Sequence, residues 1–192
     1  RARGRPRRAA SGLGGASLYD GRVMLQLRST SVADTHAVAA ALAGLARAGD
    51  LIVLAGEMGS GKTAFAQGFA AALGVTEPIT SPTYTLVHSY PIGRVTLHHA
   101  DIYRLTTLHE VADLALNELL EADGIVLVEW GDVVAGSLGD HLLVRLAPVD
   151  DADDESAREI TVAASGSAWA TRWARITDAL AGYAADGRSA PG

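Results

Sequence analysis

Residues 50–74 constrain this chain more than any other stretch. "DLIVLAG" (50–56) is a short, continuous apolar run, the signature of a strand buried on both faces of a parallel sheet. It runs straight into "GEMGSGKT" (56–63), which fits the spacing Gly56-x4-Gly61-Lys62-Thr63, the Walker A pattern. "TAFAQGFAAALG" follows, with Phe65, Phe69 and Leu73 on one helical face and a stop at Gly74. A buried strand, a glycine turn and a helix in immediate succession predict an α/β fold with a parallel sheet.

Lys62 is the only lysine; the other fifteen basic residues are arginine. The glycines at 56, 59 and 61 permit backbone angles that place successive N–H groups around an anion at a helix N-terminus. A lysine there supplies a compact charge on a flexible stem, a role that a planar guanidinium does not fill. The loop from Gly56 through Glu57, Met58, Gly59, Ser60, Gly61, Lys62 and Thr63 to Ala64 is therefore expected to bind phosphates. Thr63 would turn its hydroxyl to Mg²⁺. The bland alternative, a glycine-rich turn, does not account for a lysine in a chain that uses arginine everywhere else.

A metal at this site needs a carboxylate at the end of a neighbouring strand. Two are in position: Glu129 ends "IVLVE", and Asp101 follows "VTLHHA". His98 and His99 are adjacent on that strand and point to opposite faces, so they cannot chelate one ion together, and one of them would be core or surface filler. Guanine recognition by an Asn-Lys-x-Asp element would require a second lysine, so ATP is the expected nucleotide.

The remaining pattern continues the alternation. "RVMLQL" (22–27) reads as a strand, and Ser31 caps a helix carrying Val38, Leu42 and Leu45. "VTEPITSPTYTLVHSY" reads as loop and extended chain, and "RVTLHHADIYRL" (94–105) as a strand with a polar end. "LHEVADLALNELLEADG" is helical, with Val111, Leu114 and Leu119 apolar. "HLLVRLAP" and "REITVAAS" flank an acidic turn as an antiparallel hairpin, and Trp169, Trp173, Ile176 and Leu180 form the core stripe of a last helix. The expected fold is a P-loop NTPase-like three-layer α/β domain over 22–183, with a mainly parallel central sheet and an antiparallel C-terminal edge hairpin. Residues 1–21 would be a basic, disordered extension and 184–192 a flexible tail.

Charge narrows the partners. Net charge is −6, and with five arginines in the first eight residues the rest of the chain carries −11, which argues against a broad nucleic-acid face on the domain. No apolar run approaches the ~18 residues of a membrane span. The absence of cysteine fits a reducing compartment, and a cytoplasmic location is expected.

Several segments together resemble the TsaE (YjeE) family, small ATPases of bacterial tRNA threonylcarbamoyladenosine biosynthesis. They are "GEMGSGKT", "SPTYTLVHSY" (81–90), "HADIYRL" (99–105) and "VEW" (128–130), in family order, within residues 22–165. The resemblance implies an ATPase that acts with TsaD and TsaB and meets tRNA through their complex. By the same resemblance Glu129 is the metal-site acid and Asp101 a second important carboxylate. "SPTYTLV" would be a switch segment with Thr83 and Thr85 as hydroxyl donors, Trp130 would lie near the site, and the helix near Thr35 would border the adenine. Ala115 departs from the family, which often has glycine there. The competing reading is a P-loop small-molecule kinase. That class normally carries an arginine-bearing lid, whereas Arg94, Arg104 and Arg145 are scattered.

Overall fold

The computed structural model describes residues 16–19, 22–81, 86–103, 116–130, 138–149 and 155–185. Thr83, Thr85, Arg104, Val111, Leu114, Ala115 and the acidic turn at 150–154 lie outside them.

Among the described residues, eight strands form one sheet in the order β1-β2-β8-β7-β3-β6-β5-β4. They are β1 (Ala16–Tyr19), β2 (Arg22–Ser29), β3 (Leu51–Ala55), β4 (Val87–Ile92), β5 (Val95–Asp101), β6 (Gly124–Glu129), β7 (His141–Pro148) and β8 (Arg158–Ser165). The centre is parallel: β3 pairs with β7 on one side and β6 on the other, and β5 pairs with β6. Antiparallel pairs complete both sides: β5 with β4, and β7 with β8, β8 with β2 and β2 with β1. The expected C-terminal hairpin is present with the expected ends, but it is not an edge. β7 takes the place beside β3 and β8 is covered by β2, so the edges are β1 and β4. The sheet also begins at Ala16, inside the stretch expected to be a disordered extension.

The apolar runs of β3 and β6 are buried along their whole length because both faces of the sheet are covered. Alternation divides their side chains. Ile52, Leu54, Ile125 and Leu127 join a core with α1 (Val32–Ala43) and α2 (Lys62–Leu73). Leu51, Val53, Val126 and Val128 join a second core with Leu116 of α3 (Leu116–Glu121). Gly68 lets α1 approach α2: a Cβ there would lie 2.6 Å from the His36 Cα.

The C-terminal helix is split by a turn at Thr171–Arg172 into α4 (Ser167–Ala170) and α5 (Trp173–Leu180). Asp140 starts α4 by accepting the Ser167 and Ala168 N–H groups at 2.7 and 2.9 Å. Those backbone bonds hold its carboxyl below the usual range. Trp169, Ile176 and Leu180 are core residues and Trp173 packs against them, so the stripe is packing, as expected. Past α5, Ala184 bridges to Leu27 and the Ala185 N–H donates to the Gln26 carbonyl, which ties the start of the C-terminal tail to β2.

Candidate functional site

Parallel strands β3, β5 and β6 end on one side of the sheet, and the loop 56–61 closes over that side before α2 begins. Gly56 leaves β3 at φ +134°, and a Cβ there would lie 2.2 Å from the Leu146 carbonyl of β7. No other residue type fits between the loop and the strand beside it. Gly61, at φ +102°, turns the chain into α2.

Lys62 is 96 % buried, and its Nζ donates to the Gly56 and Glu57 carbonyls, both at 2.8 Å. The Trp130 ring covers it, its centroid 3.8 Å from Nζ. Trp130 adopts φ +63°, an uncommon conformation for a bulky residue, and packs against Tyr103 with ring centroids 5.1 Å apart.

The carboxylates lie beside this lysine. Register aligns Asp101 with Glu129 on adjacent strands, so both project from the same face. Glu129 is almost fully buried and accepts the Thr63 hydroxyl at 3.2 and 3.3 Å from its two oxygens. Its Oε1 also accepts His99 Nε2–H at 2.9 Å, which puts the imidazole proton on Nε2; the buried Nδ1 has no hydrogen-bond partner among the described residues. Asp101 accepts the Ser81 hydroxyl on Oδ2 and the Tyr103 N–H at 3.0 Å on Oδ1. The neighbouring histidine points the other way, as expected from strand alternation. His98 Nδ1 meets the Ser89 hydroxyl at 2.8 Å, and burial holds its imidazole below its usual value.

These groups surround a cleft of about 370 Å³. Of the residues expected from sequence, Met58, Gly59, Gly61, Lys62, Thr63, Ala64, Asp101, Glu129 and Trp130 line it. Gly56, Glu57 and Ser60 belong to the same loop and do not line the cleft. The first two give their carbonyls to Lys62, and Ser60 is fully buried. Thr35 is not brought here. It is buried on α1, where its hydroxyl bonds Ser29 at 2.9 Å and the Ser31 carbonyl at 3.3 Å. Thr83 lies outside the described residues.

The structure adds four residues. Ser81 and Tyr103 line the cleft. His99 holds Glu129; being two residues before Asp101 on one strand, it shares that side chain's face, and this was available from alternation alone. Arg158, at the start of β8, donates from Nε to the Ser60 carbonyl at 2.8 Å and from a terminal nitrogen to the Gly59 carbonyl at 3.2 Å. Nothing local in "REITVAAS" announces that contact, which spans 98 residues.

Thr63 and Glu129 offer a hydroxyl and a carboxylate side by side, hard oxygen donors of the kind Mg²⁺ takes when substrate phosphates and water complete its shell. The residues present therefore fit a magnesium ion.

The glycine loop between β3 and α2, on a sheet with a parallel centre, places the chain in the P-loop class of α/β proteins. The crystal structure of Bacillus subtilis YdiB has the same fold, with a TM-score of 0.66 and 30% sequence identity over 83% of this chain and 95% of that one. A family model described as threonylcarbamoyl adenosine biosynthesis protein TsaE matches residues 29–160. Proteins named tRNA threonylcarbamoyladenosine biosynthesis protein TsaE are similar over most of their length. The Bacillus subtilis one is 38% identical, with 74% of this chain and 87% of that protein covered. The Streptomyces coelicolor one is 42% identical, with 68% and 90% covered. The chain belongs to the TsaE family, whose members take part in tRNA threonylcarbamoyladenosine biosynthesis.

Proposed function

We propose that the chain binds ATP with Mg²⁺ in this cleft and hydrolyses it in support of threonylcarbamoyladenosine formation on tRNA. It acts there with TsaD and TsaB in the cytoplasm and meets tRNA through their complex. The observation that carries the reading is the Thr63 hydroxyl on the buried Glu129 carboxylate, immediately beside the lysine of a glycine loop. The loop's N–H groups and Lys62 would bind the phosphates, Lys62 giving up its own loop's carbonyls for phosphate oxygens. Thr63 and Glu129 would hold the metal, with Asp101 at its side. Magnesium, when bound, would neutralise charge on the phosphate oxygens. His99 holds the Glu129 carboxylate in place, and Trp130 shields Lys62 from water.

Among the described residues, none that lines the cleft is an arginine. An arginine placed at the transferring phosphate can raise turnover by about 10³–10⁵. The chain alone is therefore expected to turn over slowly and a partner to accelerate it. Family membership disfavours the small-molecule kinase reading. The test is ATP turnover of the pure chain, then with TsaB and TsaD added. Slow basal turnover that rises with the partners supports the reading; fast, partner-independent turnover refutes the coupling.

A further inference from the structure

Four carbonyls of the glycine loop divide between two cations. Lys62 takes those of Gly56 and Glu57, from within the loop's own helix. Arg158 takes those of Gly59 and Ser60, from a strand on the far side of β7. The guanidinium is itself anchored: its other terminal nitrogen donates to the Glu155 and Ala157 carbonyls at 2.6 and 2.7 Å. Its backbone is fixed by pairing with Ser29 of β2 and Pro148 of β7. Gly61 lies directly beneath it: a Cβ there would be 3.4 Å from Arg158 Nε, in ordinary contact.

The two cations face different fates when an anion enters. Lys62 must exchange carbonyls for phosphate. Arg158 need not move. A peptide unit is planar, with its C=O and N–H pointing in opposite directions. A donor that fixes the Ser60 carbonyl therefore fixes the direction of the Gly61 N–H, at the edge of the cleft. A lysine at position 158 could not do the same, because spanning several fixed acceptors needs the planar fork.

We propose that Arg158 is a positioning residue of the glycine loop: it sets the 59–60 and 60–61 peptides before nucleotide arrives, so that the loop meets phosphate already ordered. This rests on the reading of the cleft as a phosphate site. Ordering the loop in advance lowers the cost of binding.

The experiment uses the full chain as wild type, Arg158→Lys and Arg158→Gln. It measures calorimetric affinity for ADP and ATP with Mg²⁺, steady-state kinetics, melting without nucleotide, and amide exchange in the nucleotide-free state. Arg158→Gln is expected to weaken both nucleotides by about tenfold, the scale of lost charge-assisted hydrogen bonds. KM should rise more than kcat falls. Arg158→Lys should recover only part of the affinity. The Gly61 amide should exchange faster in both variants, while that of Phe65, inside α2, does not. Wild-type affinity in a folded Arg158→Gln chain overturns the proposal. Should that variant fail to fold, Arg158→Lys decides: weakened binding supports the proposal and wild-type affinity overturns it. If the wild type binds neither nucleotide, the phosphate reading falls instead, and unchanged Gly61 exchange in a folded variant would still sink the role given to Arg158.

Discussion

Strand β3 has a buried charged cluster beyond each of its ends, and the two are built on opposite plans. Before its first residue, Asp50 and Arg172 form a two-pronged ion pair at 2.6 and 2.7 Å. The pair is also tied to the backbone: Asp50 accepts the Arg47 N–H, and Arg172 donates to the Leu45 and Ala168 carbonyls. Beyond its last residue, Lys62 borrows carbonyls from its own loop, and Glu129 is held by Thr63 and by a histidine whose second nitrogen has no partner among the described residues. Partners fixed by the fold make a fastening. Partners that a ligand's oxygens can replace make a site.

The largest effect should come from breaking the fastening. Arg172→Leu leaves a buried Asp50 unpaired and is expected to cost about 3–5 kcal/mol. In a domain of this size that lowers Tm by roughly 6–20 °C. Nucleotide affinity, measured well below Tm, should stay at the wild-type level. The double variant Asp50→Asn/Arg172→Leu should recover part of the loss, because the uncompensated charge is gone. Melting curves with calorimetric titrations check both statements, and a large affinity change in folded Arg172→Leu would mean that the two ends of β3 are coupled.

Breaking the site should do the reverse. Lys62→Ala is expected to cut ATP affinity by about a hundredfold or more, as lost hydrogen bonds to charged phosphates imply, while Tm changes little. Lys62→Arg should fail as well, because the pocket under Trp130 holds a compact ammonium whose donors meet the loop carbonyls. Full ATPase activity in the arginine variant would remove the reason for a single lysine in an arginine-only chain.

The two carboxylates allow a finer distinction. Glu129 touches Thr63, whereas both oxygens of Asp101 are taken by Ser81 and the Tyr103 N–H. Glu129→Gln should therefore lower Mg²⁺-dependent turnover by about 10–100-fold and leave metal-free ADP binding nearly intact. Asp101→Asn should show the same pattern more weakly. Equal loss with and without metal would show that these side chains bind the nucleotide or hold the fold.

How much of this was legible in sequence depends on whether the signal was local. β3, β6, β7 and β8 were readable to within a residue or so because burial on both faces, or clean flanking turns, leaves its mark on consecutive residues. The loop and α2 were readable because glycine and lysine spacing is itself the mechanism. What escaped depends on pairing. β4 contains Pro91 and, among the described residues, pairs on one side only, so it read as extended chain. The hairpin's interior place depends on β8 meeting β2, more than a hundred residues away, and Arg158 reaches the loop because β8 pairs with β7, the strand beside β3. Thr35, expected to border the adenine, does not line the cleft; its hydroxyl bonds Ser29, which alternation along β2 alone could not reveal.

The smallest expected effect separates the two adjacent histidines. His99 faces the site; His98 faces away, bonded to Ser89 and packed where a Cβ on Gly124 would lie 2.7 Å from its ring. Burial lowers the folded-state pKa of His98 below the ordinary 6.5. The unfolded chain then binds more protons than the folded one between those two values, so stability rises with pH across that window. The contribution is present in full above 6.5 and is lost as pH falls through the lowered folded value. Denaturant unfolding from pH 7.5 down to pH 5 should show this decline in the wild type and a smaller one in His98→Asn, whose amide can still bond Ser89. ATP affinity at neutral pH should not follow the substitution, because His98 does not line the cleft. An unchanged slope in His98→Asn would assign the acid sensitivity elsewhere. A loss of affinity would show that the two faces of β5 are not independent.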